Sequence, residues 1–295
     1  MHPPSQAIGI DIGGTNVRAA CVNASGQILD YVTERTCREA PALVARLVAM
    51  VRQLDRPGIS TVGIGVPGRV DARCGLVLSG GYVDLSAISL ADVIGRETGK
   101  RVFIDNDCNM ALTAEVAIGA ARGCRHVAML TIGTGIGGAL MLEGTVLRGR
   151  RSAGQLGHVT VEARGLACKC GRRGCVETVS SGTALGRHIA EAGLPTDVTA
   201  DGLLALARSG DSRAIGVVQA WAGPLRAAVD SIVAAVDPEL FLLGGGLGQA
   251  ACAALEWAPA VSPWYQCPVK PATLGDDAGV IGAGLAGAQR DMLTS

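Results

Sequence analysis

Residues 7–23 read AIGIDIGGTNVRAACVN, two apolar stretches separated by a glycine turn. Apolar residues bounded by Gly and Asn are typical of strands, here predicted over residues 7–12 and 18–23. The same arrangement returns at residues 127–143, VAMLTIGTGIGGALMLE. The two stretches indicate a weak internal repeat in which each copy opens its own lobe of the protein.

Length and composition restrict the class of protein. At about 150 residues per domain, the 295 residues predict two domains. Lys plus Arg and Asp plus Glu number 26 each, so no net charge draws the protein to nucleic acid or to an anionic membrane. The apolar runs are far shorter than the roughly 20 residues of a membrane helix, and no signal-peptide pattern precedes residue 7. We therefore expect a cytoplasmic protein.

Hydrophobic periodicity predicts strands and helices in alternation along the rest of the chain. The further strands are predicted over 28–33, 61–66, 101–104, 127–132, 136–143 and 240–243, and the helices over 40–54, 90–98, 108–119, 181–192, 203–209, 214–236 and 280–291. This pattern predicts one α/β lobe over 1–119 and a second over 120–295, with an irregular insert at 148–178. Because no low-complexity linker separates the lobes, we expect a shared hinge and cleft, and we expect the final helix to pack back on the first lobe.

The two glycine turns are candidate phosphate loops. Successive backbone N–H groups in such a turn form a concave anion site, to which a Thr adds a hydroxyl donor, and an Asp at the strand end could hold Mg²⁺. The candidate residues are Asp11, Gly13, Gly14, Thr15 and Asn16 in the first loop, and Thr131, Gly133, Thr134 and Gly135 in the second. An ordinary hairpin turn is the alternative for either loop alone, but the pair indicates a polyphosphate held across a cleft. Neither a Walker motif nor a dinucleotide-binding motif is present.

Asp105-Asn106-Asp107 follows a predicted strand and precedes a predicted helix. Loops at strand ends commonly carry functional side chains, and a carboxylate there can accept a proton from an attacking hydroxyl. The alternative is that Asp107 is only the N-cap of the helix over 108–119. Capping and catalysis are compatible roles.

His158 and the segment CKCGRRGC at 168–175 are typical of a metal site. Three thiolates and one imidazole satisfy tetrahedral Zn²⁺, so His158, Cys168, Cys170 and Cys175 are the candidate ligands. Four protein ligands leave no open position, which favours a structural ion. Free buried thiols or a redox pair are the alternatives. The nearby run of arginines at 148–151 is interpreted as a solvated loop, or as a cluster that steers an anionic nucleotide.

Six motifs in order along the chain together resemble the ROK family (repressor, open reading frame, kinase). They are DIGGTN at 11–16, IDND at 104–107, TIGTGIGG at 131–138, GQLGH at 154–158, CKCGRRGCVE at 168–177 and LGGGL at 243–247. The resemblance implies an α/β fold of the two-lobed actin-like ATPase and hexokinase type, which is ribonuclease H-like, with a zinc-binding insert. It also implies ATP, Mg²⁺ and structural Zn²⁺, and commonly a homodimer or homotetramer.

The resemblance assigns roles residue by residue. Asp107 is implied as the general base toward a sugar hydroxyl, and the glycine loops as ligands of the ATP phosphates. The implied sugar-binding residues are Gly68, Asn106, Asp107, Gln155, His158 and Glu177. The implied neighbours of the adenosine are Gly244, Gly245 and Gly246. The expected activity is transfer of the γ-phosphoryl of MgATP to a hydroxyl, the 6-OH by preference, of a hexose such as glucose, N-acetylmannosamine, N-acetylglucosamine or an amino hexose.

Two departures from the family pattern bear on the sugar. Gln155 stands where the family usually has Glu, and Ser79-Gly80-Gly81-Tyr82 stands where glucose-type members have a PNL segment. A buried polar mismatch of about 1–3 kcal/mol is enough to redirect substrate preference. A non-catalytic sugar sensor and an ATP hydrolase that needs no sugar are the alternatives. Because only ten residues precede Asp11, the helix-turn-helix of the family's repressors is not expected, nor is binding to DNA.

Overall fold

The computed structural model describes residues 6–292, apart from the side chains of residues 290–292. The described chain forms two compact units. Unit 1 holds residues 6–123, 146–153 and 276–292, and unit 2 holds residues 124–145 and 154–275.

Strands and helices alternate along both units. The strands are β1 (Gln6–Ile12), β2 (Asn16–Asn23), β3 (Ile28–Arg35), β4 (Ile59–Val66), β5 (Gly68–Asp71), β6 (Leu76–Gly80), β7 (Arg101–Asn106), β8 (Val127–Ile132), β9 (Ile136–Leu142), β10 (Thr145–Val146), β11 (Leu240–Gly244) and β12 (Val269–Pro271). The α-helices are α1 (Ala40–Leu54), α2 (Leu90–Thr98), α3 (Asp107–Ile118), α4 (Glu177–Ser180), α5 (Gly182–Glu191), α6 (Ala200–Arg208), α7 (Ser212–Val236), α8 (Gly248–Ala254) and α9 (Ala278–Met292). None of the described helices combines the length and the hydropathy needed to span a membrane.

Each unit is built on a five-stranded sheet, and the two sheets have the same topology. The order is β3-β2-β1-β4-β7 in unit 1 and β10-β9-β8-β11-β12 in unit 2. In both, the first two strands in sequence form an antiparallel hairpin around the glycine turn, and the later strands run parallel to the first. The internal repeat that the two glycine turns predict is therefore present in the strand order.

The two faces of the unit 1 sheet are covered by different helices. Ile8, Ile10 and Ile12 of β1 join Leu43 and Leu47 of α1 in one fully buried cluster. The alternate residues of the sheet face α9, since successive side chains of a strand point to opposite faces.

Glycine lets α9 approach the sheet closely. A Cβ at Gly9 would lie 2.0 Å from the carbonyl oxygen of Val280, and one at Gly63 would lie 2.0 Å from that of Ala283. Only residues without a side chain allow two backbones to come this near. Part of the high glycine content is thus explained by packing.

The structure also differs from the predicted elements. The helix predicted over 181–192 is present as α5, and Ser181 is its N-cap: the backbone there is extended, and the hydroxyl accepts from the N–H of Ala184 at 3.2 Å. The single turn α4 that precedes it was not predicted. The hairpin β5–β6 and the helix α8 were not predicted from periodicity. These elements are only 4, 5 and 7 residues long, too short to show a periodic apolar pattern.

Candidate active site and metal centre

Asp107 lies where β7 ends and α3 begins. Asn106, and not Asp107, is the N-cap: its Oδ1 accepts from the backbone N–H of Cys108 at 3.0 Å and of Asn109 at 3.3 Å. The interpretation of Asp107 as the capping residue is therefore wrong. Asp107 is the first helical residue, and its Oδ1 accepts from the amide Nδ2 of Asn106 at 2.8 Å.

Gly68 holds the other hydrogen of the Asn106 amide. Its carbonyl oxygen accepts from Asn106 Nδ2 at 2.9 Å. Gly68 has a φ of +99°, and a Cβ there would lie 2.3 Å from the carbonyl oxygen of Ser79. The turn between β4 and β5 thus requires glycine at a position that orients Asn106.

Asp11 and Asp107 both lie beside Gly65. A Cβ at Gly65 would lie 3.4 Å from the Cα of Asp107 and 3.5 Å from Oδ1 of Asp11. Burial raises the pKa of Asp107 from 3.8 to about 6, against the lowering effect of its hydrogen bonds with Cys108 and Asn106. Burial, reinforced by the charge of Asp107, raises the pKa of Asp11 from 3.8 to about 7. Unit 1 therefore contains two neighbouring carboxylates whose proton affinities lie in the range useful for acid–base work.

The first glycine loop lies beside Asp11. The N–H of Gly13 donates to the carbonyl of Asn16 at 3.0 Å, and the hydroxyl of Thr36 donates to the carbonyl of Gly13 at 2.7 Å. Gly14 and Thr15 are exposed at the tip of the turn. The ring of Tyr82 lies against Gly14, where a Cβ would be 2.9 Å from its Cε1 and Cζ.

In unit 2 the second glycine loop contacts two other predicted site segments. The N–H of Gly182 donates to the carbonyl of Gly133 at 2.8 Å. The hydroxyl of Thr183 donates to the backbone carbonyl of Thr134, also at 2.8 Å. The N–H of Leu247 donates to the carbonyl of Ile132 at 3.0 Å. The start of α5 and the glycine turn over 244–246 therefore both adjoin the loop that follows β8, the strand that ends with Thr131 and Ile132.

Glu177 also lies at this second loop. Its Oε2 accepts from the N–H of Ile136 at 3.0 Å, and a Cβ at Gly135 would lie 2.5 Å from the same oxygen. Its Oε1 is 3.6 Å from Nζ of Lys169, which belongs to the cysteine-rich segment. Glu177 thus connects the second glycine loop to that segment.

The four candidate metal ligands come together in unit 2. One ligand atom each from His158, Cys168, Cys170 and Cys175 lies within 4.8 Å of the others. Sγ of Cys168 is 3.5 Å from Nδ1 of His158, and Sγ of Cys170 is 3.6 Å from Sγ of Cys175. His158 ends a short 3-10 turn that follows Gln155, which is half-buried.

Two groups of the cluster are shifted toward the forms that bind a cation and one is shifted away: burial and the neighbouring thiols raise the pKa of Cys175 to about 12, which favours its neutral form. A hydrogen bond from the backbone of Arg172 lowers the pKa of Cys170 to about 7, which favours its thiolate. Burial lowers the pKa of His158, which favours the neutral ring that a metal needs. Three soft sulfur donors and one imidazole whose ligand atoms lie within 4.8 Å of one another form a set suited to Zn²⁺.

The pairing of Arg148 with Asp105 was not predicted from the sequence. Arg150 and Arg151 are exposed, as a solvated loop predicts, but Arg148 is half-buried, and its Nε and Nη2 both lie 2.7 Å from Oδ2 of the buried Asp105. Arg151 lies 3.3 Å from Oδ2 of Asp71, which is also buried. No local pattern relates these arginines to carboxylates far earlier in the chain.

Comparisons with known proteins agree on one family. A sequence model of the ROK family matches residues 7–289. A glucokinase of Thermotoga maritima is 36% identical over 266 residues, which cover 84% of this chain and 84% of that protein. An N-acetylmannosamine kinase of Yersinia pseudotuberculosis is 32% identical over 293 residues, which cover 95% of this chain and 97% of that protein.

A solved structure extends the agreement to the fold. A ROK family glucokinase from Streptomyces griseus, in complex with glucose and AMPPNP, superposes with a TM-score of 0.81 at 29% identity. The match covers 96% of this chain and 99% of that one. The α/β fold class predicted from the sequence motifs is confirmed.

Proposed function

This chain belongs to the ROK family, and from that membership we propose that it transfers the γ-phosphoryl group of MgATP to the 6-hydroxyl of a hexose or hexose derivative. At the coarser level the chain is an ATP-dependent sugar kinase, as are the relatives it matches over most of their length. The sensor alternative is not retained, since those relatives are named kinases. The choice of hydroxyl, the sugar and the residue roles are the proposal.

The observation that carries the proposal is the position of Asp107. Its half-buried carboxylate is oriented by Asn106 at 2.8 Å, and its pKa of about 6 leaves it mostly ionised at neutral pH. A base with this proton affinity can accept the hydroxyl proton as the transfer proceeds. The sugar oxygen then forms its bond to the γ-phosphorus, the bond from that phosphorus to the bridging oxygen breaks, and ADP leaves. Most of the rate acceleration in such a reaction comes from positioning and charge stabilisation.

We assign the phosphates of ATP to the two glycine loops. The residues assigned are Gly13, Gly14, Thr15 and Asn16 in unit 1, and Thr131, Gly133, Thr134 and Gly135 in unit 2. The exposed tip of the first loop and the junction of the second with the turn over 244–246 support this assignment. Gly244, Gly245 and Gly246 are assigned to the adenosine.

The oxygen donors near the first loop fit Mg²⁺. Asp11 offers a half-buried carboxylate, and the hard cation prefers oxygen ligands. Burial and the charge of Asp107 raise the pKa of Asp11 to about 7, and a nearby cation would favour its ionised form. When bound, Mg²⁺ supplies positive charge that offsets the charge on the phosphoryl oxygens.

The cluster of His158, Cys168, Cys170 and Cys175 fits a structural Zn²⁺. Four donors already lie within 4.8 Å of one another, which leaves no open position for a substrate. The ion would fix the segment over 158–175 and thereby the ring of His158. We assign Gln155, His158 and Glu177 of unit 2, and Gly68, Asn106 and Asp107 of unit 1, to sugar binding.

An acceptor panel tests the proposal. ADP release is measured at fixed MgATP with glucose, mannose, N-acetylmannosamine, N-acetylglucosamine and glucosamine, and the product is analysed by phosphorus NMR. We expect at least one hexose to be phosphorylated at the 6-position and its 6-deoxy analogue to be inert. Equal turnover of the 6-deoxy analogue would overturn the assignment of the hydroxyl, and ADP release independent of any sugar would favour an ATP hydrolase.

A further inference from the structure

Asp105, two residues before the proposed base, forms an ion pair with Arg148. Asp105 is 2% exposed, and its Oδ2 accepts two contacts of 2.7 Å from Nε and Nη2 of Arg148. Arg148 comes from the segment over 146–153, which belongs to unit 1 although its neighbours in sequence belong to unit 2. The reaction assigned above makes no use of this pair.

The second oxygen of Asp105 contacts Asn106, the residue that orients Asp107, and also Asn109. Its Oδ1 accepts from the backbone N–H of Asn106 at 2.7 Å and from Nδ2 of Asn109 at 2.9 Å. Asn106 in turn caps α3 and donates to Oδ1 of Asp107 at 2.8 Å. A continuous series of polar contacts therefore connects Arg148 to Asp107 through Asp105 and Asn106.

The burial of Asp105 makes this series dependent on Arg148. A buried carboxylate is strongly disfavoured when its cationic partner is removed, so it protonates, draws in water or moves. Each of these responses changes the acceptor at Oδ1 on which the backbone of Asn106 depends. A displacement of about 1 Å at a reacting group can cost about 100-fold in rate.

We infer that Arg148 is a positioning residue for Asp107, and that it acts by keeping Asp105 in place as the acceptor for Asn106 and Asn109. The inference rests on the proposed role of Asp107 as the base. Arg148 itself touches neither substrate in this account.

The rival interpretation is that Arg148 only tethers its segment. Two other contacts hold the same segment to unit 1: Arg151 with Asp71 at 3.3 Å, and Nε of Arg69 with the hydroxyl of Ser152 at 3.2 Å. A tether would make Arg148 and Arg151 equivalent in their effect on turnover. A positioning role makes Arg148 different from Arg151.

The chain offers matched controls for this comparison. R151Q removes a second ion pair of the segment, and R150Q changes an exposed arginine of the same segment. The variants R148Q, D105N and D105N/R148Q complete a double-mutant cycle. In the double variant two neutral amides can hydrogen-bond in place of the ion pair, so neither charge is left buried alone.

Turnover and KM are measured for each variant at a temperature well below its Tm. We expect R148Q and D105N each to lower kcat by about 10- to 100-fold, with KM for sugar and MgATP within about twofold of wild type. We expect D105N/R148Q to recover most of kcat, and R150Q and R151Q to keep it. If R148Q or D105N does not fold, recovery of kcat in the double variant supports the inference, and a double variant that stays impaired overturns it.

Two other results overturn the inference. One is an R148Q enzyme with wild-type kcat whose only defect is a lower Tm. The other is equal loss of kcat in R148Q and R151Q, which indicates a tether. D107N distinguishes these results from failure of the proposed function. An active D107N enzyme would show that Asp107 is not the base. An inactive D107N enzyme together with a fully active R148Q enzyme would refute only the positioning role of Arg148.

Discussion

The side chain of Asn106 caps α3 and orients Asp107 at the same time. Its Oδ1 accepts from the first backbone N–H groups of the helix, and its Nδ2 donates to Oδ1 of Asp107 at 2.8 Å. Because the cap fixes the amide plane, the donor that faces Asp107 has little freedom. The helix that begins at Asp107 therefore also sets the direction of its carboxylate. Catalytic groups held in this way lose less conformational entropy when a substrate binds, since their orientation is already fixed.

The pH profile of kcat/KM should report Asp107. Its pKa is raised from 3.8 to about 6 by burial, so the base is ionised above that pH and protonated below it. We expect kcat/KM for the best sugar to fall as the pH drops through about 6. A profile that stays flat down to the ordinary pKa of an aspartate would contradict the assignment.

Asp11 should make the protein less stable as the pH rises. Burial raises its pKa from 3.8 to about 7, so between these values the native state binds more protons than the unfolded state, and the free energy of unfolding falls with increasing pH. Because Asn does not ionise, the D11N variant does not suffer this decrease in the free energy of unfolding. We expect its Tm at pH 8 to exceed that of wild type, by roughly 2–4 °C for each kcal/mol recovered, with a smaller gain at pH 4.

D84N is the matched control for D11N, because Asp84 is exposed and hydrogen bonds from Ser86 lower its pKa. It should bring no gain in Tm at pH 8. An equal gain in both variants would indicate a general charge effect and not the burial of Asp11.

Metal content tests the cysteine cluster. Elemental analysis of the purified protein should give about one zinc per chain, and C170S should lower the affinity for zinc by at least about tenfold. We also expect chelation to raise KM for the sugar more than KM for MgATP, since His158 belongs to both sites. C74S removes an exposed cysteine outside the cluster and serves as the control. Full zinc content in C170S would show that Cys170 is not a ligand.

The first glycine loop should be sensitive to Tyr82. In G14A the new Cβ would lie 2.9 Å from the ring of Tyr82, so the ring or the loop must move. We expect KM for MgATP to rise roughly tenfold in G14A and to recover in G14A/Y82A, because the smaller residue at 82 removes the clash. If the double variant remains as impaired as G14A, the methyl group acts on the phosphates directly.

Local patterns made much of the fold and site predictable. Helix α1 occupies the predicted residues 40–54, because five apolar residues recur there at helical spacing. The metal cluster was predictable since three of its ligands lie within eight residues and glycines let the chain turn between them. Asp107 was named as a candidate because it follows a strand, but it, and not Asn106, was considered as the possible N-cap of the helix.

Contacts between distant segments could not be predicted in this way. Arg148 and Asp105 are separated by 43 residues, and the ring of Tyr82 meets Gly14 from another turn of the chain. Such pairs depend on how the sheet and its loops pack, and neither residue of a pair carries a local signal of the other. The short elements β5, β6 and α8 were not predicted for a related reason. Their conformations depend on tertiary packing more than on their own apolar pattern.

Turnover of D107N tests the central claim most directly. ADP release is measured with the best acceptor and saturating MgATP, while calorimetry follows sugar binding to the same protein. We expect kcat to fall by about 100- to 10,000-fold while the sugar still binds with near wild-type affinity, because the amide keeps the shape of the side chain and cannot take up the proton. A D107N enzyme that binds sugar normally and turns over at the wild-type rate would contradict the account.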